Sequence, residues 1–358
     1  MKQARLGYAF ENLLMELFQK LNFQVEREKI IHKEWSKEVD FVLSKDGSVT
    51  WVEVKFYRDD RVSNSNIMNA VSQLASLLTN ATENEKGLII VSAYVAGTLK
   101  EEIQTKYGII VWDRTDLYLL IKSVQEGDKL LEDFEQLLLE AKQGTDTSYV
   151  FEKIEKKPKH YTEYLKALQT PFPQKRNVSR PKKGSELCLE LNAIPVGRDG
   201  WRQYELKCIE ILKYIFEEEL SNWDAQNSTD DELSRFDMIC RIIGQGGFWG
   251  SLIQSFHTRY VLFEFKNYSD PIGQDQIYTT ERYLYLRGLR SVGFIISRVG
   301  GKPQAMKAAK GALREHGKLI IILDNKSLCK MLQMKDSGDN PSDLLSDILD
   351  DFLISLSR

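Results

Sequence analysis

Apolar positions along the chain follow two periods, and the periods recur in the same order in each half. Leu6, Phe10, Leu13, Leu14, Leu17 and Leu21 keep the spacing of one helix face, which predicts a helix over Leu6 to Leu21. Cys208, Ile209, Leu212 and Phe216 do the same within a helix predicted over Trp201 to Phe216. Short alternating or continuous apolar runs follow, which read as strands: Val39 to Leu43 and then Trp51 to Lys55, matched later by Phe236 to Cys240 and Leu262 to Lys266. Asp46-Gly47 supplies a tight hairpin turn in the first half. The corresponding gap in the second half is longer and holds Gly244 to Gly250, rich in glycine, which reads as a mobile loop, either a substrate-contacting element or, more often for such a stretch, a plain long hairpin. Helical stretches at Ile67 to Leu78 and Ile272 to Leu286 lead into buried strands at Gly87 to Ser92 and Val292 to Ser297. Second buried strands at Gly108 to Asp113 and Lys318 to Asp324 each end in Asp, with Leu117 or Leu328 four residues on. A last helix is predicted from Pro341 to Ser357. A helix, then antiparallel strands, then strands alternating with helices, builds a three-layer α/β domain on a mixed sheet. Here that order occurs twice.

Between the halves the composition changes. From Lys153 to Lys183 there are eight Lys and two Arg against Glu155 and Glu163, and most of the prolines lie between Pro158 and Pro195. The expected division is therefore a first domain over 1–125, a helical, basic, proline-containing linker over 126–198, and a second domain with a C-terminal helix over 199–358. The linker is either a solvated connector or an arm that touches phosphates, with Arg180, Lys182 and Lys183 as candidate DNA contacts whose affinity would depend steeply on salt. The whole-chain charge of −3 does not by itself mark a nucleic-acid binder. Hydrophobic residues make up 42% and charged residues 28%, which excludes a disordered chain. No apolar run approaches the roughly 18 residues of a membrane span, and the N-terminus lacks the pattern of a signal peptide, so a cytoplasmic location is expected. The four cysteines include no C-x-x-C pair and are expected to be reduced thiols, without a disulfide or a zinc site.

The chemistry concentrates in two Glu-x-Lys runs, Glu53-Val54-Lys55 and Glu264-Phe265-Lys266. Residues two apart on a strand share a face, so each Glu and Lys emerge together while Val52 and Val54, or Phe263 and Phe265, face the other way. Charges in a buried strand are costly unless something compensates them. A hard divalent cation such as Mg²⁺ does so, since it needs one or two carboxylates and a substrate phosphate and keeps several waters. Asp40 and Asp237 on the preceding strands supply the second carboxylate. Glu11 and Glu205, each drawn onto an apolar helix face, add a further ligand or an orienting group. The lysine, with a pKa lowered by burial and metal, would orient or deprotonate a water and offset charge on the phosphate. Phe248 and Trp249 are either base-stacking groups or core, with core the more frequent role of such aromatics. Tyr57 and Tyr268 are expected to wall the two sites.

This constellation resembles the PD-(D/E)xK nuclease superfamily, and more narrowly its Mrr-like restriction endonuclease branch. In the first half the resemblance rests on Gly7-x-x-Phe10-Glu11, Asp40, Glu53-Val54-Lys55, Gln73 and Asp113-x-x-x-Leu117. In the second it rests on Tyr204-Glu205, Asp237, Glu264-Phe265-Lys266-Asn267-Tyr268, Asp324-x-x-x-Leu328 and the tail Gly338 to Leu345. The proline before the aspartate is missing in both halves. A helical glutamine is matched by Gln73, and in the second half by Gln274 or Gln276, of which Gln276 is taken. The resemblance implies two tandem restriction-endonuclease-like α/β/α domains with mixed central sheets. It also implies Mg²⁺-dependent hydrolysis of DNA, with Mn²⁺ able to substitute, by Asp40/Glu53/Lys55 and Asp237/Glu264/Lys266. Restriction or antiphage defence, a partner protein of a defence system and a homodimer are further implications. Two rival readings remain open: a DNA-binding or scaffold module with one or both sites inactive beside a partner ATPase or effector, and a branched-DNA resolvase or repair nuclease.

Overall fold

The computed structural model describes residues 2–32, 37–78, 85–142, 168, 182–225, 236–244 and 246–356. The chain forms two compact units, Met1–Pro181 with Ser337–Asn340, and Lys182–Asp336 with Pro341–Arg358. In the first, helix α1 (Lys2–Lys20) precedes strands β1 (Gln24–His32), β2 (Lys37–Lys45) and β3 (Ser48–Lys55), helix α2 (Asn64–Leu77) and strand β4 (Glu85–Val91). Helix α3 (Gly97–Tyr107), strand β5 (Ile109–Trp112) and helices α4 (Arg114–Ser123) and α5 (Gly127–Lys142) complete it. The sheet order is β1-β2-β3-β4-β5. β1, β2 and β3 pair antiparallel, whereas β3, β4 and β5 run parallel. Lys45 pairs with Ser48 across Asp46 and Gly47, both at positive φ, which is the turn that Asp-Gly predicts.

The second unit repeats the plan. Helices α6 (Lys183–Ala193) and α7 (Trp201–Phe216) precede strands β6 (Leu220–Ala225) and β7 (Met238–Ile242), helix α8 (Gly247–Phe256) and strand β8 (Tyr260–Lys266). Helix α9 (Gln274–Arg282), strand β9 (Val292–Ser297), helix α10 (Pro303–His316), strand β10 (Leu319–Leu323) and helices α11 (Asn325–Asp336) and α12 (Ser342–Ile354) follow. Its sheet order, β10-β9-β8-β7-β6, carries the same antiparallel and parallel halves. Each unit is thus α/β around a mixed five-stranded sheet.

Cores lie on both faces of the first sheet. Phe10, Leu14, Val52, Val54 and Phe134 fill one side, and Trp51, Ile67, Val71, Ile89 and Val91 the other. Helix α5, within the stretch expected as linker, places Leu130, Phe134 and Leu138 in that first core, and α6 places Leu187 and Leu191 in the core of the second unit. The aspartates that end the last strands have a plain structural role. Asp113 accepts hydrogen bonds from the backbone N–H groups of Thr115 and Asp116 and caps α4, while Leu117 behind it is fully buried. Asp324 accepts from Ser327 N at 2.8 Å before α11, again with Leu328 fully buried.

Two expectations fail. The Gly244 to Gly250 stretch is not a hairpin loop through its length, because α8 begins at Gly247. Phe248, Trp249 and Leu252 fall on one helix face and are buried. Trp249 packs edge-on against Phe216 at 5.0 Å and donates from Nε1 to Ser342 Oγ at 3.2 Å. It is a core residue and is not placed to stack on bases. Trp249→Ala is expected to destabilise the second unit by about 3–5 kcal/mol, read by urea denaturation. The expectation of four reduced thiols fails for two of them. Cys188 on α6 and Cys329 on α11 are joined as a disulfide with Cα atoms 5.2 Å apart, because packing of the two helices brings together cysteines 141 residues distant in sequence. Cys208 and Cys240 are free and buried. Among the described residues, no helix is long and apolar enough to cross a membrane.

Candidate functional site

Strand register builds the two centres. Phe41 pairs with Val52 and Met238 with Phe263, so the aspartate one position earlier comes abreast of Glu53 or Glu264. The same backbone bond then fixes both aspartates. Asp40 Oδ2 accepts from Val54 N at 2.6 Å, and Asp237 Oδ2 accepts from Phe265 N at 2.7 Å. The donor in each case is the residue between Glu and Lys. Lys55 Nζ lies 2.9 Å from Glu53 Oε1, and Lys266 Nζ lies 2.6 Å from Glu264 Oε2 and 3.6 Å from Asp237 Oδ2. Asp40, Glu53 and Lys55 therefore meet in one unit, as Asp237, Glu264 and Lys266 do in the other.

The helix glutamates are each paired with an arginine. Glu11 Oε2 lies 2.5 Å from Arg27 Nη2, and Glu205 Oε1 lies 2.7 Å from Arg202 Nη1. Glu11 is near enough to Asp40 for its charge to raise the Asp40 pKa. Gln73 sits half-buried on α2. Gln276 turns its side chain back, and Oε1 accepts from Gly273 N at 3.0 Å at the start of α9. Its side-chain oxygen is thereby engaged in capping a helix. Lys182 and Lys183 are exposed, with the Lys183 ammonium 4.7 Å from the centre of the Tyr214 ring. Arg180 lies outside the described residues. Tyr57 is buried and Tyr268 exposed.

Crowded carboxylates in a dry strand resist ionisation. Burial, then the charge of Glu53, pushes the Asp40 carboxyl up to about 7, against the pull of Lys55 and the Val54 amide. Burial pushes Glu264 up to about 7 as well, with Lys266 opposing and Asp237 adding to it. The lysines do not follow the expected lowering. Burial works against the Lys55 charge, yet Glu53, Asp339 and Asp40 raise its pKa well above the usual range. Lys266 is raised in the same way by Glu264 and Asp237. Each lysine is thus an ammonium at neutral pH, a source of positive charge and not a ready base.

Among the described residues, no group of three or more His, Cys, Asp or Glu side chains is arranged to hold a metal ion. Each centre offers instead a carboxylate pair beside an ammonium. These oxygen donors suit a largely hydrated hard cation. Glu264 Oε1 supports the fit, since it is buried without a hydrogen-bond partner, a condition that a ligand would relieve. Two further residues belong to these surroundings: Tyr283, and Asp339 from the tail Gly338 to Leu345 that the sequence pattern groups with the second half. Asp339 Oδ1 approaches Lys55 Nζ at 3.2 Å, and Tyr283 feels the charges of Glu264, Lys266 and Asp237.

Comparison with known proteins finds a family match within the first unit. The restriction endonuclease family Mrr_cat matches residues 4–121. An Escherichia coli (strain K12) protein, named for transposon gamma-delta and its mass of 80.3 kDa, is 27% identical over 160 residues, 43% of this chain. The chain spans only 22% of that protein's length. Among solved structures, restriction endonuclease FokI matches at 10% identity with TM-score 0.32, over 47% of this chain and 30% of its own. MspJI in complex with an oligonucleotide matches at 14% identity and 0.28, over 59% and 48%. PspGI with substrate DNA matches at 18% and 0.25, over 39% and 65%. The match to the restriction endonuclease family model Mrr_cat thus spans residues 4–121, the part of the chain that holds Asp40, Glu53 and Lys55.

Proposed function

We propose that the protein is a divalent-cation-dependent endonuclease that hydrolyses phosphodiester bonds of double-stranded DNA, with one catalytic centre in each unit. The observation that carries this reading is the repetition of a single arrangement. In both units an aspartate is fixed by the amide between Glu and Lys, and the lysine sits against the glutamate. Asp40 with Glu53, and Asp237 with Glu264, would hold Mg²⁺, or Mn²⁺ in its place. When bound, the cation supplies Lewis-acid polarisation of the phosphate and a more acidic water. Lys55 and Lys266 place an ammonium where negative charge gathers on a phosphate under attack. Glu11 on α1, paired with Arg27 of β1, and Glu205 on α7, paired with Arg202, would support the carboxylate pairs. Two centres on one chain provide one for each strand of a duplex, a division of labour suited to restriction of foreign DNA in antiphage defence. The exposed Lys182 and Lys183 contribute to phosphate contact.

The second reading, a DNA-binding module that does not cut, draws on one observation: the described residues gather no three-ligand metal group. Supercoiled plasmid separates the two. The nuclease is expected to linearise it with Mg²⁺ or Mn²⁺ and to stop on chelation. Retained duplex binding with no cleavage under any divalent cation would favour the module.

A further inference from the structure

Between α11 and α12 the chain contributes four residues, Ser337–Asn340, to the first unit. The segment is held at three points. Buried Tyr57 donates its hydroxyl to the carbonyl of Gly338. Asn340 Nδ2 donates to Asp59 Oδ2 at 2.8 Å. Gly338, at φ +75°, lies so close to α2 that a Cβ there would sit 2.7 Å from both Asn66 O and Ala70 N. No side chain larger than hydrogen fits without displacing the segment. This docking carries Asp339 Oδ1 to 3.2 Å from Lys55 Nζ, whose other close carboxylate is Glu53 at 2.9 Å. In the second centre the partners of Lys266 are Glu264 and Asp237, both from the centre itself. The two lysines are therefore held differently.

We infer that Asp339 is a positioning residue of the first centre. It holds the Lys55 ammonium in place, so that this centre is complete only with Ser337–Asn340 docked. A lysine side chain is long and freely rotating, and two carboxylates against its ammonium restrict it more than one. Docking rests on Tyr57, Asp59 and the glycine at 338, and the resulting control falls on the first centre alone. Its consequence for cleavage rests on the nuclease reading above, whereas its placement does not.

The test uses the full chain and two readouts. Without metal, limiting acetic anhydride is applied and acetylation of Lys55 is followed by mass spectrometry. Asp339→Asn is expected to raise the labelling rate about fivefold, because Nζ is uncovered and more readily gives up the proton it must lose to react as the neutral amine, and Gly338→Ala, which displaces the segment, is expected to match it. Labelling of Lys55 within about twofold of wild type in both variants would overturn the placement. For catalysis, the second centre is silenced by Lys266→Ala. On that background Asp339→Asn is expected to lower kcat about tenfold with KM unchanged, and Asp339→Glu to recover most of it. An unchanged kcat alongside faster labelling would overturn the catalytic role. No cleavage by the Lys266→Ala chain itself would count against the nuclease reading of the first centre, and labelling would still decide the placement.

Discussion

Chains carrying Lys55→Ala and Lys266→Ala together are expected to lose metal-dependent cleavage of duplex DNA by about 10²–10⁴-fold. Both ammonium groups sit within 3 Å of a strand glutamate, at 2.9 and 2.6 Å, in a dry part of the sheet where a charge acts strongly. Without them, negative charge that develops on a phosphate has no fixed counter-charge, and the neighbouring carboxylates add repulsion. The single variants separate the units. Lys55→Ala and Lys266→Ala are each expected to convert supercoiled plasmid to a nicked circle, with linear product delayed, since one strand keeps its centre. Far-ultraviolet circular dichroism checks that each variant is folded. A double variant that cut at the wild-type rate would remove both lysines from the mechanism.

Asp40→Asn and Glu264→Gln are expected to stabilise the fold at alkaline pH while removing its affinity for divalent cations. Both carboxyls are pushed up to about 7 by burial, from ordinary values of 3.8 and 4.5. A carboxyl raised in this way binds its proton more tightly in the folded chain than in the unfolded one. Its contribution is therefore complete below the ordinary value and is lost as pH climbs to about 7, at about 1.4 kcal/mol for each tenfold gain in proton affinity. The amide variants carry no such proton, so their stability should be flatter between pH 4 and 7 and higher than wild type beyond it. A cation competes for the same oxygens. Affinity of the wild type for Mn²⁺ should rise up to about pH 7 and then level, with proton release on binding. Urea denaturation at pH 5 and pH 8 and Mn²⁺ titration of each variant measure both effects. An Asp40→Asn chain with the pH dependence of wild type would show that Asp40 ionises normally.

Much of this arrangement was legible because its signals are local or repeat. The Asp46-Gly47 turn sets the β2–β3 register, and that register alone brings Asp40 abreast of Glu53. The buried strands at Val292 to Ser297 and the helix at Trp201 to Phe216 lie where their periods place them. In Gly244 to Gly250 the loop propensity of glycine opposes the helical spacing of Phe248, Trp249 and Leu252, and burial of that face decides for a helix from Gly247. The pairings of Arg27 with Glu11, Asp339 with Lys55 and Cys188 with Cys329 escaped for another reason. Each residue meets its partner only after the chain has folded, and no local pattern records such a meeting. Gln276 has the right residue type on the right helix, but the open end of that helix claims its side-chain oxygen.

The bond that pins each aspartate comes from the peptide group of the residue between Glu and Lys. The side chain there, valine in one unit and phenylalanine in the other, is free to drift with the core packed beneath it. The bond itself bars only proline, which has no N–H to give. Packing of the core and placement of the aspartate are thereby uncoupled at this position, which allows the two halves to differ in packing while keeping the same carboxylate geometry.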